Sequence, residues 1–416
     1  MIKHVFERIV TAVLVLLFAA TQAQANGFQL PEQGVRAMGM GNAFTAVADD
    51  ASAMWYNPAG IAFLKGGNFM LGAVGIIVPK VDFISNSSNT VLGAGVAGSS
   101  DRKSFVSPHF HATFTDPKMG VSYGLSVTSP FGLETDWSFS PLGTKTFPAS
   151  VGSTTFSRIE MVNVNPNVAL KITDHISIAA GFDYVYIKDV DFNKTIVTQN
   201  GDGDGWGGNI GFLYKDDMFS AGVSYRTQVA VRITGTASAS SPLGTTIGSA
   251  SISSVKLPEM VNGGIAFHPT DTLTISAEAD WTNWSKFDQL AFNYSPALAL
   301  VGATSVTPEE WHPTVAAKVG IEWEANDDLR LRLGYNFDPS PVNAKNFTPA
   351  LNLEDRHIFA VGAGYDFTKA LTIDVAYMFV KQKDINQTLS TGSKAIRNGH
   401  YESNAHLAGL SVNYKF

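Results

Sequence analysis

The stretch MFSAGVSYRTQVAVRI, Met218–Ile233, decides the fold. Read as one continuous run, Phe219, Ala221, Val223, Tyr225, Thr227, Val229, Val231 and Ile233 share one face. Ser220, Gly222, Ser224, Arg226, Gln228, Ala230 and Arg232 share the other. A period of two over this length is a β-strand. Strands of soluble sandwiches usually end after about five or six residues. One roughly twice as long, apolar on one side and polar on the other, suits a barrel wall between lipid and lumen.

The alternation recurs along the chain. Val162, Val164, Val168, Leu170 and Ile172 alternate with Asn163, Asn165, Asn167 and Lys171, and Leu273–Thr282, Val315–Trp323 and Leu371–Phe379 repeat the pattern. Short turns fall at 115–118, 173–175, 215–217, 269–271, 326–328 and 368–370. Long Ser/Gly/Asn/Pro-rich segments fall between them, at roughly 79–103, 133–157, 194–204, 236–251, 293–312, 338–354 and 382–400. Strict alternation of short turns and long loops is the connection pattern of outer-membrane barrels. Six short-turn hairpins, with one strand at each end (Asn68–Val78 and His400–Phe416), predict fourteen antiparallel strands. The fold class is therefore all-β, a 14-stranded transmembrane barrel, with Trp137, Trp206, Trp281, Trp284, Trp311, Trp323, Tyr335 and Tyr377 read as an interfacial girdle or, alternatively, as ligand contacts. Arg226, Arg232, Glu278, Asp280, Lys318, Glu322, Arg330, Arg332 and Asp374 fall on the faces assigned to the lumen, where they read as an ion-paired wall.

The start and the composition agree. Lys3 and Arg8 precede or flank an apolar run from Ile9 to Ala20, too short to span a bilayer, and Ala23-Gln24-Ala25 is a small-x-small cleavage signal, so residues 1–25 read as a secretory signal peptide. The 416 residues hold no cysteine, 38 glycines, 11% aromatics and only 16% charged side chains, with net charge −7. An exported chain without disulfides takes its stability from elsewhere. Without a basic run, nucleic acid is excluded as a partner. No Gly-x-Ser-x-Gly, His-Glu-x-x-His or phosphate-loop motif occurs, so no enzyme activity, cofactor or metal is expected. Asp202-Gly203-Asp204-Gly205 lacks the downstream bidentate carboxylate of a calcium loop.

Residues 26–66 precede the first strand and have neither helical nor strand period. Irregular backbone cannot face lipid, and a fourteen-strand lumen needs filling. This leader is therefore read as a plug, or hatch, inside a barrel formed by residues 67–416. Asn57-Pro58-Ala59 reads as its rigid turn, since Pro fixes φ and the Asn side chain can bond its own backbone.

Here the sequence resembles the FadL family of outer-membrane transporters for long-chain fatty acids and, in the toluene/xylene branch, aromatic hydrocarbons. Asn26-Gly27-Phe28-Gln29-Leu30, Gly39–Gly41, Ala48–Ala51 and Asn57-Pro58-Ala59 match its hatch. Pro130-Phe131-Gly132-Leu133, Leu257–Met260, Trp281–Ser285, Asp338–Val342 and Asp355-Arg356 follow in family order. The resemblance implies a monomeric fourteen-strand barrel in the bacterial outer membrane, amid lipid and lipopolysaccharide. Its terminal Phe416 resembles the signature read by the barrel-insertion machinery. It implies capture of a hydrophobic small molecule at the cell exterior and a pocket beside the hatch, at Phe28 and Leu30. It also implies sideways exit through a kink in the third strand, at Pro130, Phe131 and Gly132. Where the family carries Arg and Lys for a carboxylate, this chain offers Asn193 with Lys188 and Lys194 nearby, and His312. Long-chain fatty acids are the expected cargo; neutral aromatic or alkane hydrocarbons are the alternative, and a general porin or structural surface protein a more distant one.

Overall fold

The computed structural model describes residues 27–78, 80–137, 154–194, 197–241, 244–301, 304–351 and 354–416. The expected signal peptide lies outside the described residues. Fourteen strands close a single antiparallel barrel among the described residues. They are β1 (Gly67–Val78), β2 (Lys103–Asp116), β3 (Val121–Thr128 and Gly132–Asp136), β4 (Thr154–Lys171), β5 (Ile176–Lys194), β6 (Val197–Lys215) and β7 (Phe219–Arg226 and Val229–Ser241). After these come β8 (Gly244–Leu257 and Met260–Thr270), β9 (Leu273–Thr282 and Gln289–Tyr294), β10 (Thr304–Pro308 and Thr314–Glu324), β11 (Leu329–Asp338), β12 (Arg356–Asp366), β13 (Leu371–Gln382) and β14 (Asn404–Lys415). Closure runs from Asn68↔Lys415 to Ile77↔His406 between β1 and β14, and Gly67 and Phe416 exchange backbone hydrogen bonds at 2.9 Å. The first and last strands are thereby paired with each other, as closure in lipid demands.

Three expectations need correction. First, Met218–Ile233 is not one run. It breaks at Thr227–Gln228, and beyond the break the phase inverts: Val229, Val231 and Ile233 are buried inside the barrel while Arg232 is exposed outside. A one-residue slip exchanges the two faces, so Arg232 is not a lumen charge. Second, the predicted loops 194–204 and 236–251 are largely strand. β5 to β8 extend to Lys194, Val197, Ser241 and Gly244, because Ser, Thr and Gly pair as readily as they turn when a neighbouring strand is offered. Asp202–Gly205 is accordingly mid-strand in β6. Third, Trp137, Trp284 and Trp311 are buried, whereas Trp206 and Trp323 are half-exposed on the outer wall.

The lumen has two chemical zones. Near the short turns the inward side chains are polar: Ser177, Ser220, Ser224, Ser276, Glu278 and Lys318. Towards the long loops they are apolar: Val185, Ile187 and Phe192 of β5, Val231 of β7, Leu257 of β8 and Phe292 of β9 pack in one core. Above them, short strands Asp82–Ser85, Ala97–Ser99, Ile385–Gln387 and Gly399–Glu402 form a separate sheet whose core holds Phe83, Trp137, Phe347 and Tyr401.

Residues 27–66 fill the polar zone. They form two short helices, α1 (Val35–Gly39) and α2 (Ala53–Tyr56), then a 3-10 turn at Pro58–Phe63. The wall supplies partners for this irregular backbone. Glu278 accepts from the Thr45 N–H at 2.6 Å, Ser276 donates to the Ala43 carbonyl at 2.8 Å, and Lys318 donates to the Asn42 carbonyl at 3.2 Å. Lys318 also pairs with Glu278 at 3.0 Å and with Asp280. Arg36 staples plug to wall: it lies 2.6 Å from Asp49 of the plug and 2.7 Å from Glu322 of β10, which in turn pairs with Arg332 of β11.

Removing one member of a buried ion pair strands its partner and costs roughly 3–5 kcal/mol. Arg36→Ala is therefore expected to leave the barrel closed but loosen the plug, read as faster amide exchange across residues 35–50 with wall strands unchanged. Burial alone would raise the Asp49 carboxyl, but Arg36, with Lys215 behind it, holds it well below the usual range. A depressed carboxyl stabilises above its unfolded pKa, about 4, and that stability is lost only as pH falls through the lower folded value. The Asp49 pair should thus hold its contribution to plug protection, read as exchange corrected for the intrinsic pH dependence of amide chemistry, from about pH 8 to about pH 5.

Candidate ligand cavity and opening in the barrel wall

The kink expected at Pro130-Phe131-Gly132 is present as a break in β3. Below it, Thr128 pairs with Asn163 of β4; above it, Gly132 pairs with Glu160. β3 thus carries one residue more than β4 across the break, the signature of a bulge, and Pro130 could not have donated to a ladder there. The surplus chain bends inward and buries Phe131.

The plug's first residues join this bend as a strand. Leu30 N–H donates to the Pro130 carbonyl at 2.8 Å, Gly132 N–H donates to the Phe28 carbonyl at 3.1 Å, and Gln29 and Phe131 form an antiparallel bridge. Gln33 clamps the next residue: its Oε1 accepts from Ser129 N–H at 3.1 Å and its Nε2 donates to the Ser129 carbonyl at 3.2 Å. Phe28 sits in an aromatic cage, with ring centroids 5.8 Å from Phe131, 5.0 Å from Trp284, 5.5 Å from Phe287 and 5.9 Å from Trp311. Gly27 makes this possible. Its φ is +60°, and a Cβ there would lie 2.5 Å from the Trp284 ring.

Beside Phe28 lies a cavity of about 1000 Å³, open solvent at its mouth included. Ile76, Val78, Phe105, Ile358, Val380 and Leu407 give it an apolar wall; Glu32, Asp338 and Arg356 give it a polar end. That size and mixture are usual for a small-molecule site.

The kink also unzips the barrel wall. β2 pairs with β3 only from Phe110↔Val127 to Asp116↔Val121, so Lys103–His109 has no β3 partner in the ladder. The gap closes again above, where Asp101 N–H donates to the Asp136 carbonyl at 2.8 Å and Lys103 lies 3.2 Å from both Glu134 and Asp136. A second cavity occupies this gap, reaching Val106 and Val162 on the outer wall. Leu30, Phe105, Gly132, Leu133 and Glu134 line both cavities. The inner space therefore abuts the opening, with Leu30 and the kink between them.

The other sequence candidates are dispersed. Asn57 Nδ2 donates to the Thr45 and Phe212 carbonyls, both at 3.0 Å, and its Oδ1 accepts from Ala59 N–H at 3.2 Å. Pro58 opens the 3-10 turn, and the Ala59 carbonyl accepts from Ser177 Oγ at 2.8 Å. Gly222 in β7 permits this docking, since a Cβ there would lie 2.4 Å from the Thr45 carbonyl. His312 is half-buried between the two parts of β10, with its N–H on the Pro341 carbonyl at 3.1 Å, and burial lowers its pKa. It is not among the residues lining the cavity beside Phe28; its neighbour Trp311 is the one turned to Phe28. Lys194 ends β5, paired through its backbone with Val197; its side chain lies outside the described residues. Lys188 faces outward, 3.0 Å from Glu160. Arg356, part of the Asp355-Arg356 motif, lines the cavity, a place that the sequence pattern alone does not assign to it.

The family model for outer membrane protein transport proteins (OMPP1/FadL/TodX) matches residues 16–416. The chain belongs to this family. It is 27% identical to a long-chain fatty acid transport protein of Escherichia coli K12, over all of this chain and 99% of that one. To outer membrane protein P1 of Haemophilus influenzae it is 24% identical, over 96% of this chain and 97% of that one. Among solved structures it resembles a Pseudomonas aeruginosa FadL homologue, with TM-score 0.77 and 18% identity over 94% of this chain and all of that one. It also resembles the P. putida toluene transporter TodX, with TM-score 0.66 and 18% identity over 88% and 94%. These structures share its fold. It is an outer-membrane transporter of hydrophobic compounds, and the short turns lie on the periplasmic side.

Asn57→Ala deletes two donors to buried carbonyls, and unmet buried groups cost roughly 1–3 kcal/mol each. The plug should dock more weakly on β6, seen as protease sensitivity near residues 55–62, with the folded barrel still formed. Asn57→Asp should behave alike, because it keeps the acceptor but loses the donors.

Proposed function

We propose that this transporter takes a hydrophobic molecule from the cell exterior into the apolar upper lumen, holds it beside Phe28, and releases it sideways through the β2–β3 opening. One observation carries the reading: the cavity beside the plug's first residues and the opening in the wall share five lining residues at the kink. A water-filled pore would not serve such cargo. Each exposed CH₂ costs ~0.8 kcal/mol, so a sixteen-carbon chain would lose on the order of 12 kcal/mol in water. Moving the chain from one apolar surface to the next avoids that loss, and the flow is then passive. Displacement of the plug's leading strand from the kink joins the inner cavity to the opening. The protein acts alone as a monomer, since one barrel holds the cavity, the plug and the exit.

Gly132 tests the route. A Cβ there would lie 3.1 Å from Leu30 Cδ1 and 3.8 Å from the Ile159 carbonyl, so a large side chain would project into the shared boundary. Gly132→Trp should cut uptake of labelled oleate, methyl oleate or toluene by roughly tenfold relative to wild type, the scale of the 1–3 kcal/mol that overpacking costs, while the barrel stays folded by its gel mobility before and after heating. Full uptake through a folded Gly132→Trp barrel would refute lateral exit.

A further inference from the structure

The charges along this route are arranged in an unusual way for a carrier of anions. The inner cavity is lined by one guanidinium, Arg356, and by Glu32, Glu134 and Asp338. Arg356 is occupied: its Nη2 lies 2.5 Å from Asp338 and 3.4 Å from the Gly27 carbonyl. The opening is lined by Arg158 and Lys188 among the described residues. Arg158 pairs with Asp189 and, at 2.8 Å, with Asp191; Lys188 pairs with Glu160 at 3.0 Å. The clasp at the top of the opening sets two carboxylates, Glu134 and Asp136, against one ammonium, Lys103. Deeper in, Arg226 pairs with Asp183 and stacks on Trp55 at 4.5 Å. Among the described residues that line the two cavities and the clasp, each of these cations is paired with a carboxylate.

We infer that this arrangement is a charge filter: Glu134, which lines both cavities, together with the Asp338–Arg356 pair, makes the route selective for uncharged hydrophobic molecules over carboxylates of the same chain length. The inference rests on the lateral route proposed above and names the class of molecule it takes. An entering carboxylate would lose its water, pass Glu134 where the two cavities meet, and find Arg356 already neutralised. It could bind Arg356 only by evicting Asp338, which would leave a buried carboxylate without its cation. A neutral ester or hydrocarbon meets none of these penalties and gains the same apolar contacts. Electrostatic discrimination of one unit charge, partly screened, amounts to roughly tenfold or more.

The test uses the full-length protein in the outer membrane of cells lacking any other transporter of this family, with initial uptake of labelled oleate, methyl oleate and toluene measured at neutral pH. Oleate and its methyl ester share a chain and differ in charge. The wild-type protein should take up methyl oleate on the order of tenfold faster than oleate. Glu134→Gln should raise oleate uptake several-fold relative to that of methyl oleate and toluene by the same variant. Asp338→Asn, which frees Arg356, should do the same by a separate route, so a folding failure of either variant leaves the other to decide; surface barrel is quantified for both. Oleate uptake equal to or above that of the ester in wild type, or unaltered in both folded variants, overturns the filter while leaving transport intact. No uptake of any of the three probes above cells without the protein overturns the transport reading, and the filter with it.

Discussion

Backbone that is not in a closed ladder cannot face hydrocarbon, because each stranded N–H or carbonyl costs several kcal/mol. Everything here follows from that constraint. It encloses residues 27–66 within the barrel and forces the wall to provide partners for a plug with little regular structure of its own. Glu278, Ser276, Lys318, Ser177 and Arg36 meet that need. A lumen lined wholly in this way would be useless for greasy cargo. The chain resolves the conflict by dividing the lumen along its height. Polar residues surround the plug, and Val, Ile, Leu and Phe side chains surround the space above.

The dividing device is the bulge. β7 keeps a two-residue alternation on both sides of Thr227–Gln228, yet the apolar face turns from lipid to lumen across that break. β5 shifts register between Ile187 and Val190, and β8 is interrupted between Leu257 and Met260. Each shift lets a strand show lipid an apolar face low down and line an apolar chamber higher up. Such a swap needs only one extra residue.

This is also why the sequence was legible in one respect and opaque in another. Alternation reveals that a strand exists and that its two faces differ. It does not reveal which face is inside, because a slip of one residue leaves no trace in composition. Arg232 therefore looked like a lumen charge and is exposed on the outer wall. Short turns rich in Asp, Asn and Thr marked hairpins reliably, since those side chains bond their own backbone. The Ser- and Gly-rich stretches of β5 to β8 looked like loops because their small side chains give little apolar contrast. Trp284 and Trp311 resembled girdle residues, as aromatics near strand ends do, and only three-dimensional proximity to Phe28 assigns them to the cage. The break in β3, and the bonds that residues 28–30 make to it, lie in segments that the ordered motifs mark. At His312 the inward partner proved to be the preceding residue, which again is a question of phase.

The same physics bears on how tightly the plug can hold its own end. Phe28 is buried among four aromatic rings, and burial of a phenylalanine contributes about 1.5–3 kcal/mol, with about another 0.5–1.5 from each well-oriented ring contact. The bridging bonds to Pro130 and Gly132 add roughly 0.5–1.5 kcal/mol each. Under the proposed route a cargo molecule must compete with this sum, roughly 4.5–12 kcal/mol, which about six to fifteen buried methylenes at ~0.8 kcal/mol apiece would match. A plug fixed by ion pairs along its whole length could not be displaced so easily. Arg36 and Lys318 instead anchor residues 36–49, and the leading residues 27–30 are held by aromatic contact and a few backbone bonds. The weak end of the plug lies at the cavity and the strong end at the wall, so release of cargo need not unseat the seal.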